Sequence, residues 1–243
     1  MAEEEIARYL THLQLEWNSP LSVSHSEVLL DRFDLASARR LLDLGCGWGE
    51  LLLRALLRAS DGSGIGIDEH APHIERAVAA AAERGLSARV EFVVGDLLEL
   101  REKGDRVTSI GATHAWGNTE YALTGLHDRV LPGGRLLFGD GFWNHPPSGR
   151  LTELFGDLPN SMEEMREIAH ATGWRVEWSD TADLAEWDAF ESNWNLDLVE
   201  LARNQPGTPL GLEAARVVRE RQDEYANGYR GVLGFGYLVL ARV

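Results

Sequence analysis

The sequence is short of cysteine, of basic residues and of long apolar runs. Its single cysteine, Cys46, cannot form an internal disulfide, so we expect a reducing environment. Lys and Arg number 23 against 39 Asp and Glu, which gives a formal net charge of −16. A nucleic-acid binder needs basic side chains to neutralise phosphates. We therefore expect neither nucleic acid nor an anionic membrane as a partner.

Secretory and membrane-spanning segments are not expected either. The most apolar late run, residues 231–240, is too short for a transmembrane helix. The first five residues lack the basic and apolar regions of a signal peptide. These features predict a cytoplasmic location. Cys and His residues show no metal-ligand spacing, so no metal is expected.

Short apolar runs alternate with helix-like segments between residues 40 and 140. The alternation predicts βαβ units and a mostly parallel sheet with helices on both faces. The predicted strands are 41–44, 64–68, 90–94, 107–110 and 136–138, and the predicted helices are 49–59, 71–84 and 118–130.

The two ends of the chain add further elements. Capping boxes at Ser24–Glu27 and Ser161–Glu164 predict helix starts near 24 and 161. Helices are predicted over 3–16 and 25–34 before the first strand. After the fifth strand the patterns predict a helix over 161–171, a strand over 174–179, a helical stretch over 183–230 with a turn at 204–209, and a closing strand over 234–243.

The most informative stretch is a glycine-rich loop, Asp43 to Glu50, that follows a strand and opens a helix. Glycines at 45, 47 and 49 permit a tight turn and a close ligand. Asp68 closes the second strand 21 residues after Gly47, where a carboxylate can accept bonds from ribose hydroxyls. Asp96 closes the third strand. Asp43, Asp68 and Asp96 are therefore predicted to meet at the carboxyl edge of the sheet, around a positively charged ligand without phosphate.

A nicotinamide dinucleotide is the rival ligand for such a loop. It requires Gly-x-Gly-x-x-Gly, whereas this loop reads Gly-x-Gly-x-Gly. Glu50 also falls in the first helical turn, where its charge would repel a pyrophosphate. The loop therefore disfavours NAD, although a tight turn without any ligand remains an alternative.

The successive motifs at residues 43–49, 66–68, 95–97 and 131–134 resemble those of class I S-adenosylmethionine (SAM) dependent methyltransferases. The resemblance is close over 38–140 and loose beyond. It implies a Rossmann-like seven-stranded sheet whose last strand is antiparallel, with SAM as cofactor. By the same resemblance, Asp43 and Gly45 would face the methionine part, Asp68 the ribose, and Asp96 with Leu97 the adenine. Further candidates for cofactor binding are Cys46, Gly47 and Glu69.

We expect the chain to form one domain with four regions. An N-terminal helical cap would occupy 1–36, the SAM-binding core 37–180, a helical lid 181–232 and the closing strand 233–243. Residues 111–117 and 139–143 are further similar to stretches in bacterial small-molecule methyltransferases. That similarity implies a small-molecule acceptor without identifying it.

Histidines are the candidates for a general base. His114 follows the strand that starts at 107, at the rim of the predicted SAM crevice; its ring either removes a proton or only shapes the pocket. His25 would be the first helical residue if Ser24 is the N-cap, where the helix dipole would keep it neutral; alternatively it is an exposed first-turn residue. Asp140, expected to end the fifth strand, either binds a polar acceptor or caps a neighbouring turn, and His145 could also reach the acceptor site.

Aromatic residues could wall the acceptor site. Trp187, Phe190, Trp194, Leu198 and Leu201 follow helical spacing and predict one apolar stripe. The stripe is either core or, together with Trp116 and Trp143, the wall of a site for an apolar molecule or a cationic amine.

We therefore predict a SAM-dependent methyltransferase acting on an oxygen or nitrogen of a small organic molecule. Two alternatives remain at this stage: an enzyme of the same fold that cyclises or eliminates within SAM, and a protein that binds SAM without turnover. The sequence does not predict the oligomeric state.

Overall fold

The protein is built around a seven-stranded sheet with the order β3-β2-β1-β4-β5-β7-β6. A computed structural model describes residue 6 and residues 11–243. Strands β1 to β5 pair in parallel, and β7 lies antiparallel between β5 and β6. The predicted fold class, with its antiparallel last strand, is confirmed.

The elements are numbered from residue 23 onward. The strands are β1 (Arg40–Leu44), β2 (Ser63–Asp68), β3 (Val90–Val94), β4 (Gly104–Ile110), β5 (Val130–Trp143), β6 (Trp174–Thr181) and β7 (Leu233–Arg242). The α-helices are α1 (Val23–Arg32), α2 (Glu50–Arg58), α3 (Ala71–Glu83), α4 (Thr119–His127), α5 (Gly149–Phe155), α6 (Met162–Ala171), α7 (Leu184–Trp194), α8 (Leu196–Asn204) and α9 (Pro209–Glu224). A π-helical turn, Tyr225–Tyr229, follows α9.

Apolar side chains cover both faces of the sheet. Alternate residues of one strand enter different clusters: Leu41 joins α1 and α2 on one face, whereas Leu42 joins α4 and α6 on the other. This two-sided burial is typical of a parallel sheet and accounts for the continuous apolar runs in the strand sequences. The carboxyl ends of β1, β2 and β4 are thereby held along one edge.

The N-terminal region departs from prediction. Ser22, not Ser24, caps α1 by accepting a hydrogen bond from the backbone N–H of His25, so the helix starts at Val23. Residues 11–16 form turns and bends instead of the end of a helix. The rest of the helix predicted over 3–16 lies in residues outside the described part, apart from residue 6, which is helical.

Strand β5 is much longer than the run 136–138 that the sequence marks. Its antiparallel pairing with β7 continues from Arg135 to Trp143. Asp140 therefore lies inside the strand, opposite Gly236, and does not end it. The extension depends on a partner strand about a hundred residues away, which no local pattern reveals.

The predicted aromatic stripe is not continuous. Asn195 separates α7 from α8, so the two halves of the stripe face different surroundings. Trp187 joins the main core, whereas Leu198 and Leu201 pack with Ile6 in a small separate cluster. Among the described residues, none of the helices is both long and apolar enough to cross a membrane.

Candidate active site

The glycine-rich loop turns between β1 and α2 in a conformation that favours glycine. Gly45, Gly47 and Gly49 all have positive φ, at 80°, 53° and 72°. A Cβ on Gly45 would lie 2.6 Å from the Cβ of Ala112. The backbone N–H groups of Gly45 and Cys46 donate to the carbonyl of Ile67 at 2.9 and 3.0 Å. The loop is thus tied to β2 and lies open to a ligand at its top.

Asp68, the last residue of β2, is oriented by the same loop. The N–H of Gly47 donates to its Oδ2 and the N–H of His70 to its Oδ1, both at 2.9 Å. Nδ1 of His73 lies 3.6 Å from Oδ1. Burial alone would raise the pKa of Asp68, but these three contacts lower it below its usual value. The carboxylate is therefore charged and fixed in place at neutral pH.

Asp43 is the most buried of the three predicted carboxylates. Its side chain accepts a hydrogen bond of 2.6 Å from the hydroxyl of Thr108 on β4. Burial raises the pKa of Asp43 to about 7, and the negative charge of Asp68 acts in the same direction. A cation beside Asp43 would favour its ionised form.

A cavity of about 590 Å³ lies above the carboxyl ends of β1, β2 and β3; we call it the cofactor cavity. Six of the predicted cofactor residues line it: Gly45, Gly47, Asp68, Glu69, Asp96 and Leu97. A narrower adjoining cavity is lined by Asp43 and Cys46 together with Gly45 and Gly47. Burial raises the pKa of the Cys46 thiol, so it is not a thiolate.

The cofactor cavity fits SAM better than a dinucleotide. Its described lining contains three acidic side chains and no Lys or Arg, so a pyrophosphate would have no permanent counter-charge there. The sulfonium of SAM would instead be attracted by the carboxylates. The glycine backbone leaves room for the methionine part, and the fixed Asp68 can accept hydrogen bonds from a ribose.

An irregular segment, residues 11–21, covers one side of the cofactor cavity and of the narrower cavity beside it, and no sequence pattern predicted it. Arg76 on α3 donates to the backbone carbonyls of His12 and Leu15, and Trp48 Nε1 donates to that of Glu16. Asn18 in this segment lines both cavities. Such a segment has no periodicity to read, and the only local signal is the turn-forming run before Pro20.

A second large cavity of about 650 Å³ adjoins the cofactor cavity; we call it the acceptor cavity. His114, on the short turn after β4, and Asn18 line both cavities. Asp140 and Trp187, two other predicted acceptor residues, also line the acceptor cavity. Burial raises the pKa of Asp140, whose carboxylate accepts from the N–H groups of Thr113 and Gly141 at 3.2 and 2.6 Å.

Four other predicted acceptor residues do not line this cavity. Trp116 packs against Gly125 of α4, and Trp143 is buried behind Phe155 at a ring-centroid distance of 6.1 Å. His145 is exposed in the loop after β5, and Trp194 stacks on Arg221 outside the cavity. Phe190 of the predicted stripe also lines the cavity, whereas the lining that the sequence did not predict includes Phe155, Glu191, Arg221, Tyr229 and Phe235.

The prediction that the helix dipole keeps His25 neutral is wrong. It occupies the third helical position of α1, not the first, and its Nδ1 contacts the carboxylate of Glu186 on α7 at 3.0 Å. This hydrogen bond raises the pKa of His25, so the ring is not held neutral by the helix dipole. His25 lines neither the cofactor nor the acceptor cavity. It joins α1 to the first turn of α7.

The pair of His25 and Glu186 makes stability depend on pH in a defined direction. The raised pKa of His25 means that its contribution is complete below about pH 6.5 and is lost as pH rises through the raised value. Burial alone would raise the pKa of Glu186, but its bonds from His25 and Ser22 lower it to about 2. The contribution of Glu186 is therefore present above about pH 4.5 and lost as pH falls below that.

We expect His25→Gln to lower the melting temperature by a few degrees near pH 6 and by much less near pH 9. A hydrogen bond to a charged group contributes about 1.5–3 kcal/mol, and at this size 1 kcal/mol shifts the midpoint by about 2–4 °C. Thermal melts of both proteins across this range measure the difference. His170→Gln, on the exposed side of α6, is the matched control. A difference that stays constant with pH would contradict the assignment.

Comparison with known proteins identifies the family. Residues 22–146, just over half of the chain, match the family model for mycolic acid cyclopropane synthetase. YjhP, an uncharacterized protein of Escherichia coli, is 27% identical over 212 residues, which cover 83% of this chain and 84% of YjhP. Cyclopropane mycolic acid synthase 1 of Mycobacterium tuberculosis is 27% identical over 248 residues, covering 89% of this chain and 80% of the synthase.

A solved structure agrees with the family match and with the sequence relatives. The SAM-dependent methyltransferase of Thiobacillus denitrificans, in complex with S-adenosyl-L-homocysteine, matches with a TM-score of 0.84 and 26% identity. The match covers 96% of this chain and 97% of that protein. The chain therefore belongs to the mycolic acid cyclopropane synthetase family and is a class I methyltransferase that uses SAM as its cofactor.

Proposed function

We propose that this enzyme transfers the methyl group of SAM to an oxygen or nitrogen atom of a small organic molecule. The observation that carries the proposal is the position of His114, the one titratable side chain common to the described linings of the cofactor and acceptor cavities. The acceptor cavity, at about 650 Å³, has a size typical of small-molecule sites.

Different residues of the chain would hold different parts of the cofactor. Asp68 would accept hydrogen bonds from the ribose hydroxyls, Asp96 with Leu97 would contact the adenine, and Asp43 with the glycine loop would surround the methionine part. When bound, SAM supplies an electrophilic methyl group on a sulfonium. The covering segment 11–21 and the walls of the acceptor cavity would exclude water. Holding two reactants in line can lower the barrier by about 7–11 kcal/mol.

His114 would act as the general base. An acceptor hydroxyl or ammonium must lose a proton to expose the attacking electron pair, and a positioned base contributes roughly 10²–10⁴-fold in rate. Both cavities reach the His114 side chain, which is exposed to solvent where they join. A ring nitrogen there can take the proton and pass it to water.

Trideuteromethyl-labelled SAM tests the reaction type. We expect incubation of the enzyme with labelled SAM and a metabolite extract to yield S-adenosylhomocysteine and an acceptor that retains all three deuterium atoms on oxygen or nitrogen. Mass spectrometry of both products makes the measurement, and heat-inactivated enzyme is the control. An acceptor that retains only two deuterium atoms would indicate a methylene bridge, and methylthioadenosine would indicate attack within SAM. Either result would contradict the proposal.

A further inference from the structure

We propose that the acceptor is an apolar amine, that Asp140 binds its ammonium group, and that the enzyme is an N-methyltransferase. This inference rests on the proposed function and specifies its substrate class. It depends on three features of the acceptor cavity: the balance of charge on its lining, the surroundings of Asp140, and the aromatic side chains of α5, α7 and the π-helical turn.

The lining of the acceptor cavity is strongly acidic. It contains five carboxylates: Asp140, Glu153, Asp157, Glu191 and Glu224. Arg221 is the only Lys or Arg in the described lining, and it is engaged by the buried Glu191 through bonds of 2.8 and 3.0 Å. Glu224 is likewise paired, with Arg150 at 2.8 Å. Asp140, Glu153 and Asp157 remain without a Lys or Arg partner among the described residues. Their negative charge would repel an anionic acceptor and attract a cationic one.

Asp140 lies in this cavity close to His114. Its carboxylate accepts from two backbone N–H groups, and in the described part of the chain it forms no ion pair with Lys or Arg. A carboxylate in such surroundings is stabilised in its charged form by a nearby cation. An ammonium group of the acceptor would supply that cation and would be placed beside the proposed base.

Aromatic rings form the wall that receives the rest of the molecule. The ring centroids of Phe155 and Tyr229 are 5.0 Å apart. The ring centroid of Trp187 is 6.2 Å from those of Tyr229 and Phe190, and all three pairs are edge-to-face. All four side chains line the cavity. Such rings bury an apolar body and attract a cation over their faces.

Trp187 carries a buried hydrogen-bond donor without a partner among the described residues. Its side chain is 92% buried, and its indole Nε1 has no hydrogen-bond partner among the described residues. Leaving a buried donor unpaired costs about 1–3 kcal/mol. A ligand oxygen that accepts this N–H would remove the cost. An ether, hydroxyl or carbonyl oxygen on the ligand body would therefore strengthen binding if it reached this N–H.

The reaction balances without any further reactant. The ammonium group transfers a proton to the imidazole of His114, where the charge of Asp140 stabilises the imidazolium. The amine nitrogen then forms the new carbon–nitrogen bond to the methyl carbon as the carbon–sulfur bond breaks. The sulfur retains the bonding electron pair, and S-adenosylhomocysteine leaves as a neutral thioether.

A series of matched ligands tests the substrate class. Each set shares one methoxyaryl or alicyclic ether body and differs only in its terminal amine, alcohol or carboxylate. Calorimetry in the presence of S-adenosylhomocysteine measures binding, and mass spectrometry with SAM measures methylation. We expect amines to bind at least tenfold more tightly than the matched alcohols, carboxylates to bind most weakly, and the new methyl group to appear on nitrogen. Alcohols or carboxylates that bind as tightly as their matched amines would overturn the inference.

The variant Asp140→Asn isolates the role of the carboxylate. We expect the KM for amines to rise at least tenfold while the Kd for S-adenosylhomocysteine stays unchanged. Asp61→Asn, at an exposed site before β2, is the matched control. An unchanged KM for amines in Asp140→Asn would overturn the inference. Wild-type enzyme that binds no S-adenosylhomocysteine would count against the proposed function itself. Wild-type enzyme that methylates only alcohols would count against the amine class alone.

Discussion

Replacing Asp68 by alanine should raise the Kd for SAM by about 100-fold or more. The N–H groups of Gly47 and His70 hold the carboxylate in place at the end of β2, where we propose that it accepts two hydrogen bonds from the ribose. Each hydrogen bond to a charged group contributes about 1.5–3 kcal/mol, and every 1.4 kcal/mol changes the Kd about tenfold. Titration calorimetry with SAM, and with S-adenosylhomocysteine, which has the same ribose, measures the change.

Two controls separate ligand binding from folding in this experiment. Asp61→Ala removes an exposed carboxylate before β2 and should leave the Kd unchanged. Melting curves without ligand report any loss of stability, because alanine at 68 leaves two backbone N–H groups without their carboxylate. Ligand at 100 times its Kd should raise the free energy of unfolding of the wild type by about 2.7 kcal/mol. A Kd that changes less than threefold in folded Asp68→Ala would show that Asp68 does not hold the ribose.

Replacing His114 by alanine should lower kcat by about 10²–10⁴-fold, the contribution of a positioned base. The Kd for S-adenosylhomocysteine should stay within about twofold, because Asp68 and the glycine loop are untouched. Steady-state kinetics with an identified acceptor, together with calorimetry, measure both quantities. His170→Ala, exposed on α6, is the matched control. Full activity in His114→Ala would exclude the base role and leave the ring as part of the cavity wall.

Much of the fold could be predicted because its signals are local. The apolar runs of β1 to β4 and the glycines at 45, 47 and 49 all depend on short-range preferences. The length of β5 and the break at Asn195 could not be predicted from local patterns. The strand length depends on pairing with β7, and after the break Leu198 and Leu201 of α8 pack against α9.

The same distinction separates the two halves of the site. The cofactor residues follow the strands that carry them, so their spacing in the sequence indicates their position in space. The acceptor cavity instead combines Phe155, Glu191, Arg221 and Tyr229, which come from separate helices and meet only through tertiary packing. The N-cap of α1 is Ser22, although the sequence predicts Ser24. Two serines in one segment are equivalent caps by local criteria. The contact of Glu186 with the backbone N–H of Ser22 distinguishes them, and that contact is tertiary.

The central claim is that SAM binds above the glycine loop with its reactive sulfur directed toward His114. A crystal structure of the complex with S-adenosylhomocysteine tests it most directly. The account predicts both ribose hydroxyls within hydrogen-bond distance of the Asp68 carboxylate and the sulfur facing the passage between the cofactor and acceptor cavities. A ligand seated elsewhere, or a sulfur that faces away from His114, would contradict it.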